Sequence, residues 1–235
     1  MDTGRRMNTG YLWLLGTAVA WSFSGVFTKL NSQPGFLISA VSSVVALLFY
    51  FIIIRPTIRV SKLVVAAGLA SYFMGITFTY ANKLTSVGSA IVLQYSSMAF
   101  VALYEAIEQR KVPPARKVFV IVMALTGMVV FFFDSLSPEN VLGNLLAIIS
   151  GAFFGLMFFL NAKRGSSPVT SAMISCAISV LPGLLYIPQL PQVKPHEWGL
   201  MAAGGIVCSG LANVCFSRGI TRANPLTANL ITMLE

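Results

Sequence analysis

Charge is what this chain has least of. Asp, Glu, Lys and Arg make up 10% of its residues, against the roughly 25% with which a soluble domain covers its surface. With an apolar fraction of 56% and a mean hydropathy of +0.80, the chain cannot present a water-facing surface, and the sequence predicts an integral membrane protein. Histidine occurs once, at His196, and cysteine three times, at Cys176, Cys208 and Cys215, each within an apolar run. These positions have no metal-ligand spacing and form no even-numbered disulfide framework, so the thiols read as small packing residues. Neither a metal nor a cofactor is expected. Also missing are H-E-x-x-H, G-x-S-x-G, paired intramembrane carboxylates and a Gly-rich phosphate loop with its lysine. Intramembrane catalysis and ATP-driven pumping are both disfavoured, and the protein is not expected to be an enzyme.

What the chain does have is apolar runs. A span needs roughly 20 such residues, and eight runs qualify, at about 10–28, 35–54, 63–81, 87–104, 118–133, 141–162, 169–187 and 198–217. The fifth is short, but Arg116 and Lys117 can extend it by snorkelling. The seventh is interrupted by Pro182-Gly183, and a ninth begins near Pro225 and stops at Glu235. Arg5-Arg6 ahead of an apolar run and Ala18-Val-Ala20 also fit a cleavable leader, but that run continues past Ala20 and has a counterpart later in the chain.

The net charge of +9 sits in small clusters between the runs. No basic stripe interleaved with aromatics is present, so nucleic acid is not an expected partner. Counted on alternate sides of the membrane, thirteen Lys and Arg fall on the side of the N-terminus and three on the other. This bias places the N-terminus in the cytoplasm.

One stretch recurs. Tyr80-Ala-Asn-Lys-Leu-Thr-Ser-Val-Gly-Ser-Ala-Ile-Val-Leu-Gln-Tyr-Ser-Ser97 leaves one run through a short polar turn and enters the next, and residues 219–235 do the same. Pairing Ala81 with Gly219 sets Ala90 opposite Ala228 and Ser97 opposite Glu235, an offset of 138. Residues 10–22 resemble 143–155 at an offset of 133, and each copy is followed by a lysine, Lys29 or Lys163. The repeat unit is therefore five spans long. Five is odd, so the second unit is expected upside down relative to the first, a construction that secondary transporters use for alternating access. The expected units are residues 10–133 and 141–235, the second incomplete.

With its span order, Trp21-Ser22, the hairpin at 80–97, Gly127 and Asn224-Pro-Leu-Thr-Ala-Asn229, the chain resembles the drug/metabolite transporter superfamily, EamA type. The resemblance implies an all-α membrane protein of ten helices in two inverted five-helix repeats, here eight complete spans and part of a ninth. It also implies export of small metabolites such as amino acids across the bacterial inner membrane, without a cofactor. Two departures stand out. Met98 occupies a place in the fourth span where members often have proline. Their closing glutamate falls near Lys111, whereas this chain has Glu105 and Glu108 earlier. A non-transporting fragment or membrane scaffold is the alternative reading. The expected partners are a small-molecule substrate and the lipid bilayer, and a homodimer is compatible with the sequence.

Polar and aromatic residues inside the spans are the candidate substrate contacts: Trp21, Ser22 and Ser24, Tyr72 and Tyr80, Gln94 and Tyr95, then Asn213, Asn229 and Thr232. An amide in hydrocarbon needs a partner, so Gln94, Asn213 and Asn229 are expected to face the bundle interior. An ionisable group near the bilayer centre is a functional candidate by default. Glu235, about 15 Å beyond Pro225 along a helix, is one, and a carboxylate there could couple transport to protons. Glu105, at the inner edge of the fourth span, is the second coupling candidate, although an ion pair with a neighbouring Lys or Arg is its plainer role.

Overall fold

The structure, a computed structural model, describes residues 2–131 and 141–234, with side chains from residue 9 onward except at 128 and 131. All of its elements are helical. They are α1 (Asp2–Leu30), α2 (Gly35–Phe49), α3 (Lys62–Leu84), α4 (Val87–Gln94), α5 (Ser97–Gln109), α6 (Ala115–Phe131), α7 (Val141–Asn161), α8 (Pro168–Gly183), α9 (Pro195–Ala203), α10 (Ala212–Ile220) and α11 (Pro225–Thr232). A π-turn at Tyr50–Ile54 prolongs α2, a 3-10 stretch at Leu184–Gln192 prolongs α8, and a π-turn at Gly204–Leu211 joins α9 to α10.

Seven of the described helical stretches are long and apolar enough to cross a membrane: Thr9–Leu30, Gly35–Ile54, Lys62–Leu84, Val87–Gln109, Val141–Asn161, Pro168–Gln192 and Pro195–Ile220. The chain is a multi-pass membrane protein. The run expected at 118–133 corresponds to α6, which has 17 described residues. At about 1.5 Å per residue that is roughly 25 Å, short of a hydrocarbon core of about 30 Å. The end of that run and Asp134 lie outside the described residues.

Burial follows the logic of a bilayer. Large side chains such as Phe51, Ile52 and Ile53 are more than half exposed, while Ala46, Ala67, Ala81, Ala90 and Ala147 are fully buried. Lipid tails are as apolar as leucine, so helices associate through close packing of small residues. Gly151 shows how close that packing is. A Cβ there would lie 2.5 Å from Ser96 Oγ and 2.6 Å from Gln94 O. The most extensive contacts join α3 to α7 and α8, α2 to α8, and α1 to α10.

The fourth span is not one helix. α4 ends at Gln94 and α5 begins at Ser97, with Tyr95-Ser96 as a turn between them. The break needs no proline. Ser96 N bonds to Leu93 O at 3.2 Å and Met98 N to Tyr95 O at 3.1 Å, tight i→i−3 bonds that leave the regular ladder. The seventh span changes from α to 3-10 geometry after Pro182-Gly183, where the sequence was interrupted.

Short polar turns start the helices on either side of the repeat. Ser86 Oγ accepts from Ser89 N at 3.0 Å at the start of α4, and Asn224 Oδ1 accepts from Leu226 N at 2.9 Å at the start of α11. Each satisfies a main-chain donor that a helix end leaves free. Ser86→Ala is expected to cost about 1 kcal/mol, read as a lower unfolding temperature of the purified protein. An unchanged temperature would show that the Ser86 cap contributes nothing.

A neutral cavity as the candidate functional site

The cavity is built from residues the helices turn away from lipid. It has a volume of about 200 Å³ and takes its walls from α1, α2, α3, α4, α7, α8, α9, the π-turn and α10. Trp21, Ser24, Gln94 and Asn213 line it. Trp21 Nε1 donates to Cys208 O at 3.1 Å, and Gln94 Nε2 donates to Ser150 Oγ at 2.8 Å. Asn213 Nδ2 donates to Ser209 O at 2.9 Å, and the Tyr50 hydroxyl bonds to the same carbonyl. A π-turn shifts the main-chain ladder by one residue, and here the Cys208 and Ser209 carbonyls receive side-chain donors from other helices.

Toward the ends of the helices rich in Lys and Arg, the cavity gives way to a dry core around Tyr95, Met98, Phe154, Phe158 and Phe216. Trp21 sits where the two meet, its ring centroid 5.6 Å from those of Phe154 and Phe216.

The other six candidates lie elsewhere. Ser22 Oγ donates to Val19 O at 2.7 Å. The Tyr72 ring packs edge-on against Phe73 at 5.2 Å. Tyr80 meets Phe36 at 5.2 Å, in a small aromatic group that includes Tyr186. Tyr95, Asn229 and Thr232 are buried where α11 crosses the broken fourth span. There the Tyr95 hydroxyl donates to Thr232 O at 2.6 Å, and Asn229 Nδ2 donates to Ser97 Oγ at 2.9 Å. None of the six lines the cavity. Glu105 is ion-paired with Lys117, and Glu108 with Lys163. Glu235 lies outside the described residues.

Two features escaped the sequence reading. The first is the serines of α2 and α8: Ser39, Ser42 and Ser43, then Ser175 and Ser179, all on the cavity wall. The four-residue spacing of Ser171, Ser175 and Ser179 was the available signal. The second is Glu197, which is 1% exposed. Its carboxylate accepts from Ser32 N at 2.9 Å, Ser32 Oγ at 2.5 Å, Gln33 Nε2 at 2.8 Å and Lys194 N at 3.1 Å. Its main-chain oxygen accepts from Asn31 Nδ2 at 3.3 Å. Lys83 donates to Asn31 O, and Lys29 donates to Asn82 O and Thr85 O, each at 3.1 Å. These bonds fasten the turn after α1, the end of α3 and the start of α9 to one another at the Lys- and Arg-poor end. The signal was an acidic residue two positions after Pro195 at a helix start, the third place of a capping box.

Comparison with known proteins agrees with this architecture. Over 210 residues the chain is 27% identical to the proton-coupled antiporter flippase LtaA of Staphylococcus haemolyticus (strain JCSC1435), covering 86% of this chain and 49% of that protein. The chain thus spans about half the length of this curated relative. A solved crystal structure superposes with a TM-score of 0.75 at 20% identity, covering 95% of this chain and 84% of the other, a likeness of fold. The EamA-like transporter family matches residues 8–133 and again 141–235. A multi-pass membrane protein, the chain belongs to the EamA-like transporter family.

Proposed function

We propose that the protein is a secondary transporter that exports small metabolites across the bacterial inner membrane by alternating access around this cavity. The observation that carries the reading is a single cavity walled by helices from both matched segments, α1 to α4 from the first and α7 to α10 from the second. A site shared by two halves can open to either side as the halves rock against each other.

Several pairings support two equivalent, inverted halves, 10–133 and 141–235, of a ten-helix plan. Packing of α3 on α7 corresponds to packing of α1 on α10, while α2 meets α8 and α5 meets α11 across the same axis. Hydrogen bonds repeat with the sequence. Thr17 Oγ1 donates to Ala212 O at 3.4 Å, and Ser150 Oγ donates to Met74 O at 2.9 Å. Thr17 and Ser150 are 133 residues apart, Met74 and Ala212 are 138 apart, and the capping residues Ser86 and Asn224 are also 138 apart. An odd number of spans per half then inverts the second, and the charge bias sets the N-terminus in the cytoplasm.

In this reading Trp21, Gln94 and Asn213 contact substrate from the cavity wall. Tyr95, Asn229 and Thr232 hold the α11 crossing, and Ser22, Tyr72 and Tyr80 act outside the cavity. The relative's name joins antiport to protons, and Glu235 is the carboxylate we assign to coupling, ahead of the paired Glu105. The test is solute flux into and out of proteoliposomes containing the purified chain, under pH gradients of either sign. Movement of labelled solute above empty vesicles is expected. Absence of flux under every gradient would favour the membrane-scaffold alternative.

A further inference from the structure

Among the described residues no Asp, Glu, Lys, Arg or His lines the cavity. A substrate with a net charge would lie there without a counter-charge, with only neutral hydrogen-bond partners to offset its lost hydration. What the wall offers is hydroxyl groups in two states. Ser42, Ser71, Thr79 and Ser179 donate their protons to the main-chain oxygens of Met201, Ala67, Gly75 and Ser175, at 2.8 to 2.9 Å. Each of these oxygens keeps lone pairs with which to accept. Ser24, Thr28, Ser39, Ser175 and Ser209 make no side-chain hydrogen bond to another described residue, so each hydroxyl can donate as well as accept.

A wall that donates at one point and accepts at the next matches a ligand group that does both. An alcohol does so, whereas a carboxylate or phosphate only accepts and an ammonium only donates. Trp21, Phe27, Phe78 and Phe154 supply apolar ring surface on the same cavity, suited to the C–H face of a carbon skeleton. Its volume of about 200 Å³ suits a small solute.

We propose that the cavity binds a small, uncharged polyhydroxylated solute of the sugar-alcohol or monosaccharide class, its hydroxyls on Ser24, Ser39 and Ser175 and its carbon face on the rings of Trp21 and Phe78. The proposal names a substrate class for the transport reading and rests on it.

Three probes with one carbon skeleton test it: sorbitol, its amine glucamine and its acid gluconate. Binding to the protein in nanodiscs is read by calorimetry and by Trp21 fluorescence in a Trp13→Phe, Trp198→Phe background. Sorbitol is expected to bind at least tenfold more tightly than either charged analogue. The Ser39→Ala, Ser175→Ala double variant is expected to weaken sorbitol by about tenfold, with thermal unfolding unchanged. Gluconate or glucamine binding as tightly as sorbitol overturns the proposal, as does a double variant that binds sorbitol like the wild type.

Proteoliposome flux separates this proposal from the reading beneath it. If alanine is moved while sorbitol is neither bound nor moved, the ligand class is wrong and transport stands. If sorbitol is bound with the expected selectivity but no solute crosses, the ligand class stands and transport is wrong.

Discussion

Glu197→Ala is expected to lower stability by about 3–5 kcal/mol, because it leaves four donors without their acceptor. Ser32 N, Ser32 Oγ, Gln33 Nε2 and Lys194 N all converge on this one carboxylate. The side chain is almost wholly buried, so water cannot take over these bonds without opening the turn after α1. The loss should appear in the purified protein as a fall in Tm on the order of 10 °C. Glu197→Gln retains an oxygen but replaces the other acceptor with a donor, so its loss should be smaller. An alanine variant as stable as the wild type would mean that the network is decoration and that these helix ends are held by packing alone. The expected size separates Glu197 from Glu108, whose pair with Lys163 is half exposed. Exposed ion pairs contribute about 0–1 kcal/mol.

The sequence carried the large features because bilayer physics writes them coarsely. Scarce charge and long apolar runs identified a multi-pass helical protein, and seven of the eight expected runs coincide with helices long enough to span. The turn at 84–87 was readable from its polar residues, and Pro182-Gly183 marked a real change of helix type. The breaks without proline were not readable. Tyr95-Ser96 and the π-turns at Tyr50–Ile54 and Gly204–Leu211 contain no proline, so no residue within them marks the change of helix geometry.

The candidate site was legible only in part, for a related reason. Tyr95, Asn229 and Thr232 have the polar or aromatic character of ligand contacts, but they spend their polar atoms on one another and on Ser97. The serines of α2 and α8 lie in apolar helices with no larger polar group to mark them, yet they form the cavity wall. Small-residue stripes therefore have two uses in this chain. Gly151 and Gly155 bring helices together, whereas Ser24, Ser71 and Ser209 face the space between them. Periodicity cannot separate the two, since both follow a four-residue spacing on an inward face.

Gly151→Leu is expected to lower flux at least tenfold at a cost of about 3 kcal/mol or more, the upper range for overpacking. The added Cβ would meet Ser96 Oγ and the main chain of Gln94, and a main-chain atom cannot rotate away as a side-chain tip can. Relief by moving the turn is blocked on both sides. Gln94 is tied to Ser150 one residue before Gly151, and Tyr95 is tied to Thr232 on α11. The wedge must instead push α7 from the fourth span, carrying Phe154 and Gln94 out of the cavity wall together. Flux in proteoliposomes should fall at least tenfold, even for protein that still inserts and purifies. Gly127→Leu is the matched control, because a Cβ at Gly127 meets nothing within 4 Å. That variant should stay within about 0.5 kcal/mol of wild type. Equal damage from both substitutions would show that leucine is harmful anywhere in these helices. Damage confined to Gly151 places the cause at the contact between α7 and the broken span, where the cavity ends and the dry core begins.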